Sequence, residues 1–202
     1  MKGIGPGRVR DILDHEPKYV RVERERRYLL RALPEGVSLR DEHAQITDNY
    51  ITGTRLRLRK SRWVPTGEWS LKLTQKHAPA PPDFSRALIT TLYLNRAEYE
   101  ALSVFEANEI RKNRYYLRRD GRLYSVDVFL GDLHGLILAE TDFDSDEEMD
   151  AFPPPPFAFA DVTREELFTG GRLAYLSADG LRDGIKDVVS SQQSVAAPCR
   201  DD

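Results

Sequence analysis

The stretch "YVRVERERRYLL", residues 19–30, decides how the rest of the chain is read. As a strand it alternates, because successive side chains point to opposite faces. Glu23, Glu25 and Arg27 then share one face, where a core-facing strand would carry apolar residues. A face bearing two acids and a base needs either water or a charged ligand.

The same question recurs along the 202 residues. In "YITGTRLRLRK", residues 50–60, Leu56 and Leu58 face one way, and Arg55, Arg57 and Arg59 the other. In "EWSLKLTQK", residues 68–76, Leu71 and Leu73 oppose Lys72, Thr74 and Lys76. "HAPAPPD" breaks the pattern, since proline cannot donate to a ladder. "SRALITTLYL", residues 85–94, is a fourth strand, followed by a short helix that Asn95 caps, with Leu102 and Phe105 on its apolar face. "NEIRKNRYYLRRDGRLYSVDVFLG" predicts a hairpin through Asp120-Gly121. It sets Lys112 and Arg114 on one face of its first arm and Ser125 and Asp127 on one face of its second. "LHGLILAETDF" is a further strand ending in Glu140 and Asp142, and "DSDEEMDAF" a short acidic helix. "PPPP", residues 153–156, is a stiff spacer. "DVTREELFTGGRLAYLS" reads as a helix capped by Thr163 or Asp161 and interrupted at Gly170-Gly171.

Composition narrows the classes. Lys and Arg number 30, Asp and Glu 33, for a net charge of −3, which does not suggest a nucleic-acid binder. One cysteine, Cys199, excludes an intrachain disulfide and a cysteine-based zinc site, and fits a reducing cytoplasm. No apolar run approaches a membrane span, and the N-terminus has no apolar signal core. The expected organisation is a leader over residues 1–18, one domain over 19–176, and a polar, partly disordered tail over 177–202.

Taken singly, each charged face reads as a solvated outer face. Taken together, the signs are segregated by strand: cationic around residues 55–59, 72–76 and 112–114, acidic around 23–25 and 140–142. Segregation costs self-repulsion unless something of opposite charge lies between. A mainly β, α+β chain can resolve this as a closed eight-stranded antiparallel barrel with a few flanking helices and its charged faces inward. Such a lumen suits a polyphosphate with a divalent metal, because Lys and Arg neutralise phosphate oxygens and carboxylates hold hard cations. There is no Walker-type glycine-rich loop.

With these motifs in this order the chain resembles the CYTH superfamily, the triphosphate tunnel metalloenzymes, over about residues 19–175. Glu23-x-Glu25-x-Arg27 stands at the family's Glu-x-Glu-x-Lys strand. Arg57 and Arg59, Lys72 and Lys76, and Lys112 and Arg114 match its cationic strands. "VDVFLGDLHGLILAETDF" is similar to its late hairpin, and "DVT…GGRLA" to its closing helix. The resemblance implies metal-dependent hydrolysis of a triphosphate, inorganic triphosphate above all. Glu23, Glu25 and Arg27 would be catalytic, and the six cations of the later strands would bind phosphate. Glu23, Glu25, Asp127, Glu140 and Asp142 would hold Mg²⁺ or Mn²⁺. The implied partner is a small-molecule triphosphate, with no nucleic acid and no membrane; a homodimer stays open. A CYTH-type adenylate cyclase and a non-catalytic polyphosphate-binding module are the alternatives.

Two departures from the family pattern stand out. Arg27 replaces a lysine, and arginine cannot give up its proton to activate water. In residues 85–94 the face shared with Arg86 carries Leu88 and Thr90 where many members have acids. Arg55 lies at the end of its cationic face. Arg24 and Arg26 read as surface charge, Trp63 and Trp69 as packing residues, and the scattered His15, His43, His77 and His134 as poor metal ligands.

Overall fold

The computed structural model describes residues 20–77 and 83–195. The expected leader falls outside them, as do most of the proline-rich loop and the last seven residues of the tail.

Nine strands form one sheet. They are β1 (Arg21–Leu29), β2 (Ala44–Ile51), β3 (Leu56–Trp63), β4 (Trp69–His77), β5 (Arg86–Tyr93), β6 (Ala107–Arg119), β7 (Arg122–Phe129), β8 (Ile137–Asp142) and β9 (Ala160–Asp161). Their order is β5-β4-β3-β2-β6-β7-β8-β1-β9, and β1 also pairs with β5. The eight long strands therefore close into the antiparallel barrel expected. Closure pairs β1 and β5, the strands that would otherwise be edges, over part of their length.

β1 makes the closure. Its first half pairs with β5 (Glu23 opposite Ala87) and its second half with β8 (Glu25 opposite Asp142, Arg27 opposite Glu140). Where β5 ends, the two-residue β9 takes over the vacated edge of Tyr28 and Leu29. β2, residues 44–51, was not anticipated. It sits between β3 and β6, so the cationic strands are separated by one that carries an acid, Asp48. The β6–β7 hairpin turns at Asp120-Gly121 as predicted, with φ of 52° and 75°. Positive φ at both central residues is the type I′ geometry that matches strand twist.

Two apolar clusters hold the barrel. One fills an end of the interior: Leu29, Ile110, Phe129 and Leu138 lie on the inward parity of their strands and pack with Phe168, Leu173 and Leu181. The other lies outside, around Tyr28, Tyr115, Tyr124 and Val126. Its cover is mainly chain between elements, including Leu33, Val37, Phe152 and Phe157, rather than the helices expected there.

Two short helices form where predicted, although the first ends at Leu102 and leaves Phe105 outside it and exposed, so the expected apolar face is absent. α1 (Arg96–Leu102) starts with a capping box in which Asn95 accepts from the Glu98 amide and Glu98 reaches back to the Asn95 amide. α2 (Asp146–Ala151) is capped by Ser145. The C-terminal region differs. Residues 160–176 do not make one helix: β9 is followed by a single turn at Glu166–Phe168 and the four-residue α3 (Gly170–Leu173). Pairing of Ala160 and Asp161 with β1 pulls those residues into extended backbone. The tail also differs. α4 (Ala178–Val195) runs through it, with Leu181, Ile185 and Val188 at helical spacing against the core. Residue 176 is therefore not a structural boundary.

Candidate active site

The barrel interior holds a cavity of about 420 Å³. Strand alternation delivers its lining. From β1 come Glu23, Glu25 and Arg27, from β3 Arg57 and Arg59, from β4 Lys76, from β6 Lys112 and Arg114, and from β8 Glu140 and Asp142. Every candidate site residue predicted from sequence is thus brought together, except Lys72 and Asp127. Arg55 also reaches the cavity and touches His77 Nδ1 at 2.5 Å. Arg24 and Arg26 point outward, to Asp146 and Asp161.

Most of the cations are fixed before any ligand arrives. Arg59 donates to both oxygens of Asp48, from Nε at 2.5 Å and Nη2 at 2.7 Å, and Arg57 Nε lies 3.5 Å from the same carboxylate. Asp48 is 2 % exposed. Burial alone would raise its pKa, but the two guanidinium groups outweigh it and hold the carboxyl well below the usual range. Across the lumen, Asp127 is fully buried and receives Lys112 Nζ at 2.5 Å and Arg114 Nε and Nη2 at 2.7 and 2.6 Å. In this structure the carboxylate of Asp127, expected to hold metal, is engaged by cations. Both its oxygens are taken by cations, and it acts as the counter-charge beneath them, as Asp48 does opposite. Lys72 lies on the inward face of β4 beyond the cavity lining, with its ammonium 4.9 Å from the centre of the Tyr93 ring.

The acids occupy the other wall. Arg27 donates to Glu25, and through Nε to Glu140 at 3.1 Å; Arg114 donates to the second oxygen of Glu140 at 2.9 Å. Lys76 is paired with Glu23. These pairs split the carboxylates electrostatically. Burial would raise Glu140, but Lys112, Arg114 and Arg27 hold it well below the usual value. Glu25 goes the other way, pushed up first by burial and then by the Glu140 charge. Partial desolvation, followed by Glu23 and Glu140, pushes Asp142 up as well. Arg27 is 4 % exposed, and among the described residues its buried Nη1 has no hydrogen-bond partner. A buried donor left unmade costs about 1–3 kcal/mol.

The fit to a hard divalent cation can be judged from the donor set. Glu23, Glu25, Glu140 and Asp142 offer only carboxylate oxygens, and Glu25 and Asp142 are raised first by burial and then by neighbouring carboxylate charge, a penalty that a cation would offset. Among the described residues no three such side chains already converge. That matches a Mg²⁺-like ion held by one or two carboxylates, with phosphate oxygens completing its shell.

Two site residues escaped the sequence reading. Asp48 and Tyr50 both lie on β2 and alternate with Ile46 on its inward face. The Tyr50 hydroxyl lies close enough to the Arg57 guanidinium to help hold its charge, and it abuts Gly170. The signal was the alternation in "AQITDNYI", which is short and polar enough to pass for loop. The departure noted in β5 also changes. Register with β4 places Ala87, Ile89 and Thr91 inward, not Leu88 and Thr90. The inner face of β5 still lacks acids. Trp63 packs near Tyr116, with ring centres 6.1 Å apart, whereas Trp69 is 62 % exposed beside Arg62.

No model of a known protein family matches the chain. A curated protein, the inorganic triphosphatase of Nitrosomonas europaea, is 29 % identical over 164 residues, covering 75 % of this chain and 96 % of its own length. The solved structure of the inorganic triphosphatase NE1496 superimposes with a TM-score of 0.51 at 27 % identity, over 76 % of this chain and 95 % of that one. A second structure of NE1496, described as a hypothetical protein, gives 0.52 at 27 % identity over 77 % and 99 %. With its closed barrel and its charged lumen, the chain is similar to these inorganic triphosphatases over about three quarters of its length.

Proposed function

We propose that this protein hydrolyses inorganic triphosphate to diphosphate and phosphate, using Mg²⁺ or Mn²⁺. The observation that carries the reading is the two-sided lumen. A wall of cations, held in place by buried Asp48 and Asp127, faces a wall of carboxylates across a cavity of about 420 Å³. A linear polyanion bridged to a divalent cation satisfies both walls; a neutral ligand satisfies neither, and a purely cationic one only the carboxylates.

The residues divide the work by chemistry. Arg57, Arg59, Lys76, Lys112 and Arg114 bind the phosphate oxygens, with the guanidinium groups offering two donors in one plane. Because their counter-charges hold them, little reorganisation is needed as charge moves onto the leaving diphosphate. Arg27 lines the cavity and stays charged throughout, so it neutralises charge and does not take a proton. Tyr50 steadies Arg57 from behind. Glu23, Glu25, Glu140 and Asp142 are the residues that would hold the metal. When bound, the metal supplies charge neutralisation on the phosphoryl oxygens and lowers the pKa of water.

The test is phosphate release from inorganic triphosphate with Mg²⁺ or Mn²⁺, run beside ATP, with Glu23→Gln/Glu25→Gln as the control. Metal-dependent turnover that is faster on triphosphate and lost in the control is the expected result. Faster cleavage of ATP, or cyclic product from it, would replace this reading with a nucleotide-specific one. Binding without turnover on either substrate would leave a polyphosphate-binding module.

A further inference from the structure

The cations that line the cavity are matched to acids everywhere except at one mouth. Buried Asp48 and Asp127 compensate four of them. Glu23, Glu25 and Glu140 compensate Lys76 and Arg27. Arg86, at the rim, is engaged by acids outside the lumen. Arg55 is left. It lines the cavity and is exposed to solvent, and among the described residues no carboxylate pairs with it. Residues 78–82, which follow the neighbouring strand β4, carry no acid either.

Arg55 is nevertheless held in place. Its Nη1 donates to His77 Nδ1 at 2.5 Å. A guanidinium has no acceptor and keeps its proton, so His77 accepts there and carries its own proton on Nε2. A neutral imidazole orients the guanidinium without cancelling its charge. The backbone is anchored too, because the Lys76 amide donates to the Arg55 carbonyl at 3.3 Å. Arg55 is therefore a positioned, uncompensated cation one inward step beyond Arg57, at the mouth that Thr54, Phe84 and Gly170 border.

Arg59, Arg57 and Arg55 make a row that leads along one strand face to the outside. The inner two sit on Asp48 within the lumen, where the triphosphate binds. The outer one calls for negative charge further along the same ligand. A nucleoside on the outer phosphate brings no charge there. A fourth phosphate does, and a guanidinium fork takes two of its oxygens.

We propose that Arg55 forms a subsite for a phosphate beyond the third, so that the protein takes linear polyphosphates of four or more phosphates as well as triphosphate. The inference rests on the triphosphate reading above and extends its substrate class by chain length. The chemistry is unchanged. One water adds across one P–O–P bridge, so tetraphosphate gives phosphate and triphosphate. The electrons of the broken bond leave on the triphosphate oxygen, and the proton of the water goes to solvent.

The test compares initial rates of phosphate release from inorganic triphosphate and inorganic tetraphosphate, each with Mg²⁺ or Mn²⁺, using the full chain. The wild type should show a KM for tetraphosphate no higher than that for triphosphate. Arg55→Gln should raise the KM for tetraphosphate about fivefold relative to that for triphosphate, the upper end for a solvent-exposed charge pair. Arg55→Lys keeps the charge and should recover most of that loss. An equal rise in both KM values would place Arg55 on the triphosphate itself, and no change in either would make it ordinary surface charge. Each of these results overturns the proposal, as does a wild type that cleaves triphosphate but not tetraphosphate, and all three leave the triphosphate reading standing. Turnover of neither substrate would overturn that reading and this inference together.

Discussion

Gly170 opens α3 directly against the Tyr50 hydroxyl. A Cβ built at this position would lie 2.0 Å from Tyr50 Oη and 3.0 Å from Cζ. Both distances are well inside van der Waals contact, so Gly170→Ala forces the ring or the helix to move. The ring has little freedom, since it packs against the inner apolar cluster while its hydroxyl engages Arg57. Overpacking of this kind costs about 1–3 kcal/mol. For a chain of this length each kcal/mol lowers Tm by about 2–4 °C, so the expected fall is roughly 2–12 °C. Thermal and urea denaturation followed by circular dichroism measure it. The control is Tyr50→Phe, which deletes the atom that would be struck first. In that background Gly170→Ala should cost less, with a coupling of about 1 kcal/mol between the two sites. Because Tyr50 steadies Arg57, Gly170→Ala should also raise KM for triphosphate. If the two substitutions add to within about 0.5 kcal/mol, the close approach of Gly170 to Tyr50 is not what the glycine is for, and the reasoning fails.

Three further perturbations test other parts of the structure. Asp48→Asn leaves Arg57 and Arg59 in the lumen without their buried counter-charge, and should cost about 3–5 kcal/mol; a loss under 1 kcal/mol in urea denaturation would show the clamp to be dispensable. Asp142→Asn should have the opposite sign without metal. Its folded pKa lies above the ordinary 3.8, so its ionised form is penalised in the folded state; that penalty is full above the folded pKa and absent below the ordinary one. The variant should therefore melt higher than wild type at pH 7, the gap closing as pH falls below about 4; a gap of constant size from pH 3 to 8 contradicts the cause given. Asn95→Ala removes the side-chain half of the capping box on α1 and should cost about 1 kcal/mol without changing KM, because α1 contributes nothing to the cavity lining; a shifted KM would show that α1 communicates with the lumen.

Much of the lumen was legible because strand alternation is a local property. Glu23, Glu25 and Arg27 must share a face once residues 21–29 are extended, whatever surrounds them. The same holds for Arg57 with Arg59 and for Lys112 with Arg114. Long-range pairing was not legible in this way. Whether Asp127 faces a metal or two cations depends on its register opposite Arg114, and register is fixed by neighbours far away in the chain. β2 was missed for a related reason. Its burial comes from lying between β3 and β6, so its own residues need not be strongly apolar.

The C-terminal third shows the same division. Leu181, Ile185 and Val188 carry a helical period that could have been read, yet the polar residues between them masked it. Residues 160–161 carry no strand signal at all. They are extended because β5 stops short and leaves the backbone of Tyr28 and Leu29 needing a partner.

By itself the sequence determined which side chains share each strand face, and hence that the chain carries segregated acidic and cationic faces requiring a ligand between them. Tertiary structure alone decided how those faces pair across the lumen. It set Asp48 and Asp127 beneath the cations. It also placed Arg27 between Glu25 and Glu140. Alternation follows from backbone geometry within a few residues, whereas the pairing of buried charges depends on barrel closure, which joins residues more than a hundred positions apart.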